Sequence, residues 1–547
     1  MGKDDQKIIE QPGLYAVPLR RGRALSFQLA ALALTVVTLA TATGFLMVTW
    51  FRPKTDEIAP TQAAKPSATE QLFRGWPAPD VALVLSGQQD GFLQPCGCSD
   101  PQFGGVARRY NFLQTLIKDR GWPIVLADLG DVAQEAGASL GFDAGPQKRI
   151  KYRYSMQALK MLNYTAVGLG PNEALMPLFD ALGEHALNDP KPRVVCANLI
   201  DKDGVFFPQM MSRSEISEAK GNAPRVGITA VVGPSMAKDL EKRSGDDLHF
   251  DNLEKVLPGE IAALQQKKAE LLLLLFLGTD KEVKALAEKF PQFQVILYWS
   301  PTEEPPRQTD MVGATLLVQT GWRGRYVGVV GVKRTETAGR HFDFRYELIS
   351  LGPEFETPQG KDKSNPLHAL MERYAQEVHK EDYLGKFPHE ASHPLQVQYP
   401  EATYVGSEKC KNCHESAYEV WKNHKHSHAY QTLADAKRPA LRQFDGECIV
   451  CHTTGFGYKS GFTNATATPK LKDVGCENCH GPASLHIKNK NDVKIRQAMN
   501  PLKGQGVKGI FSLCFKCHNE ENAPKFRTDT FEEYWVKKKT AHPTPKD

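Results

Sequence analysis

Between residues 77 and 335 the chain alternates short apolar runs with stretches of helical spacing. The runs Val81–Leu85, Ile124–Ala127, Thr165–Leu169, Val194–Ala197, Val226–Val232, Leu271–Leu277, Val295–Tyr298 and Thr315–Gln319 predict strands. Between them, Val106–Lys118 and Tyr154–Leu162 repeat their apolar positions at helical intervals. Strands interleaved with helices predict a layered α/β domain. A break rich in Pro, Gly and charge, Leu351–Lys363, ends it, and Asn365 and Pro366 then open a helical stretch to Lys386, with Asn as N-cap and Pro in the first turn. The rest of the chain has few long apolar runs.

The N-terminal end carries a different pattern. Ala24–Phe51 is 28 residues without a charge, long enough as a helix to span a hydrocarbon core of ~30 Å. Arg20, Arg21 and Arg23 precede it, so one membrane helix is expected, with residues 1–23 cytoplasmic and everything after Arg52 across the membrane. The competing reading is a cleaved signal peptide with its small-residue site at Ala40 and Ala42, although the apolar run exceeds the 7–15 residues typical of such a signal. Both readings export the bulk of the chain to an oxidising, periplasmic compartment. Polar residues 52–76 read as a tether. The expected organisation is therefore 1–23, anchor 24–51, tether 52–76, α/β domain 77–350, linker and helix 351–400, and a C-terminal domain 401–547.

Composition changes little until the cysteines are considered. The 547 residues carry 24% charge, 41% hydrophobic residues and a net charge of +5, which excludes a disordered chain and a polytopic membrane protein. The basic residues are interleaved with nearly as many acids, so no nucleic-acid partner is expected. Eight of the 11 cysteines, however, fall in four copies of C-x-x-C-H: Cys410, Cys413, His414; Cys448, Cys451, His452; Cys476, Cys479, His480; and Cys514, Cys517, His518. On a helical turn, residues i and i+3 share a face, so both thiols can add to the vinyl groups of one porphyrin edge while the next imidazole reaches the iron. Structural zinc would need C-x-x-C pairs but no His after every second Cys. Disulfides within single turns would have poor geometry. Four covalent c-type haems are expected, and they would supply the apolar surface that this region lacks.

The second axial position of each iron decides between electron transfer and chemistry. Of 16 histidines, 13 lie from residue 368 onward. Beyond the four in the motifs, the candidates are His368, His379, His389, His393, His424, His426, His428, His486 and His542.

The segments YVGSEKCKNCHESAYEVWKNHKHSHAYQTL, ECIVCHTTGF, GCENCHGPASLH and LCFKCH resemble the cytochrome c-554 family of multihaem c-type cytochromes, over Ala402–Phe526. The resemblance implies a mainly helical and looped tetrahaem domain. It also implies that His426, after Trp421, is a distal ligand to another haem, with His424 and His428 as alternatives beside it, and that His486 is a second distal ligand. A third distal ligand is left among His542, His393 and His389. One haem of the four is five-coordinate in that family.

Residues 77–335 resemble the metal-dependent phosphoesterase domain of the 5′-nucleotidase family through GGVARRYNFL, PIVLADLGD, MLNYTAVGLGPNE and LLVQTGWRGRYVG. The family's metal ligands are largely replaced: SGQQDG (Ser86–Gly91) stands at the first site, Pro171-Asn172 at the Asn-His pair, Phe276-Leu277 at the apolar strand end and YWSPTEEP (Tyr298–Pro305) at the last histidine segment. Only Asp131 survives. One carboxylate cannot clamp two cations about 3.5–4 Å apart, so a pseudo-phosphatase scaffold or docking surface is expected. In QPCGCSDPQFGG, Cys96 and Cys98 could bind a metal, bridge to Cys196 or relay electrons to the haems.

The sequence thus predicts a membrane-anchored, exported tetrahaem cytochrome that passes electrons between donor and acceptor proteins. Two rivals stand beside it. One is a haem oxidoreductase acting on a small nitrogen or sulfur species at a five-coordinate iron; the other is an interaction module recruiting a redox partner.

Overall fold

The computed structural model describes residues 71–95, 102–134, 146–176, 182–183, 185, 191–218, 221–244, 248–336, 341–500, 506–519, 522–523, 526–527 and 530–531. Ala24–Phe51, Cys96, Cys98 and His542 lie outside them. Among the described residues, no helix is long and apolar enough to cross a membrane.

Two six-stranded sheets form the α/β region. The first contains β1 (Val81–Ser86), β2 (Ile124–Asp128), β3 (Ala166–Gly168), β4 (Arg193–Val195), β13 (Tyr326–Arg334) and β14 (Phe342–Ser350), in the order β14-β13-β1-β2-β3-β4. Strands β1 to β4 run parallel, with Val84 opposite Leu126 and Val167 opposite Val194; β13 and β14 join antiparallel. The second sheet has the order β11-β12-β10-β9-β7-β6, from β6 (Ser214–Ile216), β7 (Val226–Val232), β9 (Leu271–Leu277), β10 (Val295–Tyr298), β11 (Asp310–Val312) and β12 (Thr315–Val318). A small ribbon pairs β5 (Leu199–Ile200) with β8 (His249–Phe250).

Strand alternation sorts the apolar residues into layers. Val81, Leu83 and Leu85 of β1 face Ile228, Leu273, Leu275 and Leu297 of the second sheet in one buried cluster between the sheets. Ala82 and Val84 face the other way, onto the helices Val106–Gln114, Pro146–Met161 and Pro366–Glu381. Leu272, Leu274 and Phe276 of β9 likewise face the helices Leu253–Gln266 and Asp280–Lys289. The result is helix, sheet, sheet, helix. It explains why β9 reads LLLLLFL: both of its faces are covered, and every residue in it is buried.

The segment after β14 packs into the same core. Leu351, Phe355, Leu367, Leu370, Met371, Tyr374 and Val378 belong to the cluster containing Val84 and Phe112. The helix Pro366–Glu381 begins where the sequence places it: Asn365 caps it, its side chain accepting from the Leu367 N–H at 3.1 Å. Asp382, in the left-handed region at φ 49°, ends it, and a short turn Tyr383–Lys386 follows. Residues 71–76, the end of the stretch read as a tether, are also packed: Phe73 is 2% exposed, and Trp76 stacks on Trp122 with centroids 6.2 Å apart.

Asn365 does more than cap. Its Nδ2 donates to the Ala107 carbonyl at 2.8 Å and to Asn111 Oδ1 and Thr357 Oγ1, both at 3.1 Å, while the residue is 1% exposed. Asn365→Ala removes the cap and leaves these buried acceptors unsatisfied, so a loss of about 2–4 kcal/mol is expected in chemical denaturation. An unchanged midpoint would show that the cap does not hold this helix.

Candidate functional site

The four C-x-x-C-H segments adopt the same one-turn form. In the first and last, the N–H of the His donates to the carbonyl of the first Cys at 2.9 Å, Cys410 for His414 and Cys514 for His518. The second lies on the helix Gly446–His452, capped by Asp445, and the third is the helix Cys476–His480. Each turn thus puts two thiols on one side and an imidazole at its end.

Polar side chains tie the first three turns together, while the fourth packs in an apolar cluster with Phe511, Phe526 and Phe531. Glu477, between the cysteines of the third turn and 2% exposed, accepts from the N–H groups of Val405, Gly406 and Ala483 at 3.0, 2.8 and 2.8 Å. Ser407 Oγ accepts from the Cys476 N–H at 3.1 Å. Thr454 Oγ1, just past the second turn, donates to Asn478 Oδ1 at 2.8 Å, and Asn478 Nδ2 returns to the Thr453 carbonyl at 3.0 Å. The thiols of Cys410 and Cys476 are hydrogen-bonded neighbours, as are those of Cys451 and Cys517, and Cys479 lies beside Cys514 and Cys517. The first turn therefore neighbours the third, and the second turn neighbours both the third and the fourth.

The imidazoles converge in pairs. The rings of His414 and His486 have centroids 6.1 Å apart, and those of His426 and His518 6.0 Å apart. Two imidazoles on opposite faces of one iron, with metal–nitrogen bonds of about 2 Å, place their centroids about 6 Å apart, so these residues fit a haem between them. Burial, reinforced by His424, His518 and His452, pushes the His426 imidazole down to about 3. Burial also lowers His452, His486 and His518. A neutral ring is the ligating form. His452 Nδ1 faces the Ala429 carbonyl at 2.7 Å and His480 Nδ1 the Met499 carbonyl at 3.0 Å, so each Nδ1 is the protonated, donating nitrogen of its ring.

The neighbouring histidines divide their roles. His424 Nδ1 accepts from the His426 N–H at 3.2 Å and so caps the turn Lys425–His428, while the His426 ring is the one that faces His518. The Trp-x-x-x-x-His spacing has a local cause: Trp421 Nε1 donates to the Val474 carbonyl at 2.8 Å, and the Val474 N–H to the His426 carbonyl at 3.0 Å. His393 Nδ1 caps the helix Pro394–Gln398. His379 stacks on Phe444 at 3.7 Å, and both ring nitrogens of His389 are buried without a hydrogen-bond partner between Phe387 and Phe456. The sequence reading does not single out Glu477, Ser407, Asp445 and Asn478; the one hint is a Glu or Asn inside or beside each of the four motifs.

At the carboxyl ends of β1 to β3 the side chains are committed to one another. Ser86 donates to Asp128, and Arg109, 1% exposed, lies 4.0 Å from Asp128 and donates to Tyr164 at 3.1 Å. Glu173 accepts from the N–H groups of Asp131, Ala133 and Gly170, and Asp131 from that of Asn172 at 2.8 Å. Among the described residues, no group of three or more His, Cys, Asp or Glu could hold a metal ion. Cys196 is a free, buried thiol donating to Asn198 Oδ1 at 3.7 Å, and burial pushes it up to about 12; it is not bridged.

Burial, then the charges of Glu173 and Asp90, hold the Asp131 carboxyl well above the usual carboxylate range. The folded state therefore binds its proton more tightly than the unfolded chain, and stability falls as pH rises above the unfolded value of about 4. Asp131→Asn, which keeps the acceptor for Asn172, should raise the melting temperature at pH 8, with the gain vanishing near pH 4. A gain that is equal at both pH values would contradict a protonated Asp131.

Residues 409–481 match the family described as "Cytochrome c554 and c-prime". Cytochrome c-554 of Nitrosomonas europaea is 31% identical over 144 residues, a match covering 23% of this chain and 61% of that protein, so the chain spans about three fifths of its curated relative. Among solved structures, the 5′-nucleotidase precursor from Thermus thermophilus is similar at 21% identity and TM-score 0.43, over 55% of this chain and 59% of that one. The sulfate thiohydrolase SoxB from the same organism is similar at 13% identity and TM-score 0.45, over 56% of this chain and 62% of that one. The chain thus carries a C-terminal cytochrome c-554-like region after an α/β region similar to 5′-nucleotidase structures, without a metal-binding cluster among its described residues.

Proposed function

We propose that residues 401–547 form a tetrahaem electron-transfer domain on an exported, membrane-anchored chain. The observation that carries this reading is the pairing of His414 with His486 and of His426 with His518 at the centroid separation that one iron requires. Cys410 and Cys413, Cys448 and Cys451, Cys476 and Cys479, and Cys514 and Cys517 would hold four haems c by thioether bonds, with His414, His452, His480 and His518 as proximal ligands. Bound haem supplies one-electron chemistry at iron.

The chain's own contribution is order and insulation. The Cys410–Cys476 and Cys451–Cys517 neighbourhoods, with the Thr454–Asn478 bonds, hold the four turns in one cluster. The carbonyls of Ala429 and Met499 fix the tautomers of His452 and His480. Two imidazoles on one iron close it to small molecules, which favours electron transfer over catalysis at those two positions. Export matches the apolar stretch before Arg52, and donor and acceptor redox proteins are the implied partners.

The full chain, produced where haem is attached, should give a pyridine haemochrome of four haems that survives acid-acetone extraction. A colourless protein, or one that loses its pigment, would overturn the reading. His486→Ala and His426→Ala should each convert one low-spin EPR signal to high-spin, and different signals in the two variants; an unchanged spectrum would refute the ring pairing.

A further inference from the structure

The α/β region grips one of the four turns. From the helix Pro146–Met161, Lys151 reaches the Glu447 carboxylate, with Nζ 2.6 Å from Oε1, and Gln147 Nε2 donates to Asp445 Oδ1 at 2.7 Å. Tyr374, on the helix Pro366–Glu381, lies with its hydroxyl 3.4 Å from Asp445 Oδ2 and accepts from Gln147 Nε2 at 3.1 Å. The three residues of the α/β side are 8, 1 and 4% exposed, and their partners Asp445 and Glu447 are partly buried. Asp445 also caps the turn itself, accepting the Glu447 N–H at 3.0 Å on the oxygen that Gln147 holds, and Glu447 directly precedes Cys448. Around it, Ala440 N–H donates to Glu372 at 3.0 Å, Arg438 pairs with Asp362 at 2.7 Å, and His379 stacks on Phe444.

The grip comes from the carboxyl end of the first sheet, beside the loop that holds SGQQDG. A Cβ on Gly91 would stand 3.3 Å from Lys151 Cε and 2.8 Å from Gln134 Cβ, so the lysine passes directly under the loop after β1 on its way to Glu447. In open α/β sheets this carboxyl-end crevice is where ligands bind. Here a lysine that spans from it to the cytochrome-like region occupies that position.

We infer that Lys151 sets the reduction potential of the haem carried by Cys448, Cys451 and His452, by neutralising Glu447, with Asp445 as the positioning residue for that turn. The inference rests on the haem reading above. A partly buried charge pair is screened less than an exposed one, and a carboxylate left without its cation stabilises the oxidised, more positive iron. Lys151→Met should therefore shift one of the four waves of a redox titration to lower potential, and Glu447→Gln should shift the same wave upward. Lys151→Arg should restore it. The other three waves should stay in place.

The measurement is a spectroelectrochemical titration of the full-length protein, with the haem count of each variant determined first. Unmodified protein without covalent haem would defeat the haem reading itself, and is seen before any variant is compared. With four haems present, unchanged waves in both variants, or a common displacement of all four, would overturn the role given to Lys151. If Lys151→Met does not accumulate as folded protein, the direction of the Glu447→Gln shift decides alone: upward in one wave supports the inference and no shift refutes it.

Discussion

The carboxylate of Asp445, with Glu447 beside it, ties the α/β helices to the second C-x-x-C-H turn. It starts the helical turn that presents Cys448, Cys451 and His452, and it takes the Gln147 amide at 2.7 Å with the Tyr374 hydroxyl close by. Gln147 and Tyr374 are buried and Asp445 is partly so, and an unpaired buried group there would cost on the order of 1–3 kcal/mol. The placement of the second turn and the packing of the α/β helices are consequently a single constraint. The helix Pro366–Glu381 makes this possible: it buries Leu370, Met371 and Val378 against the first sheet while holding Tyr374 toward the junction.

The two halves are stabilised by different means. The α/β region uses area: three apolar clusters, sorted by strand alternation, fill the spaces between and outside two sheets. The C-terminal region has a small apolar cluster around Tyr404, Ile449 and Phe462, and relies on buried polar groups such as Glu477, Thr454 and Asn478 to fix its loops. Backbone donors bound by a side-chain carboxylate are directional, so they define where each turn stands more sharply than apolar contact would. Close approach adds to this: a Cβ on Gly475 would stand 2.6 Å from Ser407 Oγ, and Gly406, at φ +88°, makes a turn that an L side chain would strain.

The carboxyl end of the first sheet shows how a polar cluster persists without a cation. Arg109 stands beside Asp128 and Tyr164, and Glu173 is spent on three backbone N–H groups. A guanidinium and backbone donors compensate the buried carboxylates.

Much of this was legible in the string of residues. The eight apolar runs became strands because a continuous run such as LLLLLFL can be buried only where both faces are covered, and Asn365 with Pro366 marked a helix start by local chemistry alone. The C-x-x-C-H spacing specified each turn for the same reason: i to i+3 is a local relation. The hairpin β13–β14 escaped notice, since Gly328 and Gly331 interrupt the first strand and charges alternate along the second, whose outer positions are exposed. Gly331 is small for a tertiary reason: a Cβ there would meet the Trp76 ring at 2.8 Å. The pairing of His486 with His414 and of His426 with His518, and the reach of Lys151 to Glu447 across 296 positions, came only from the fold. Periodicity and spacing encode what neighbours along the chain must do; which distant side chains meet is settled by how the layers and turns pack, and no local pattern contains that.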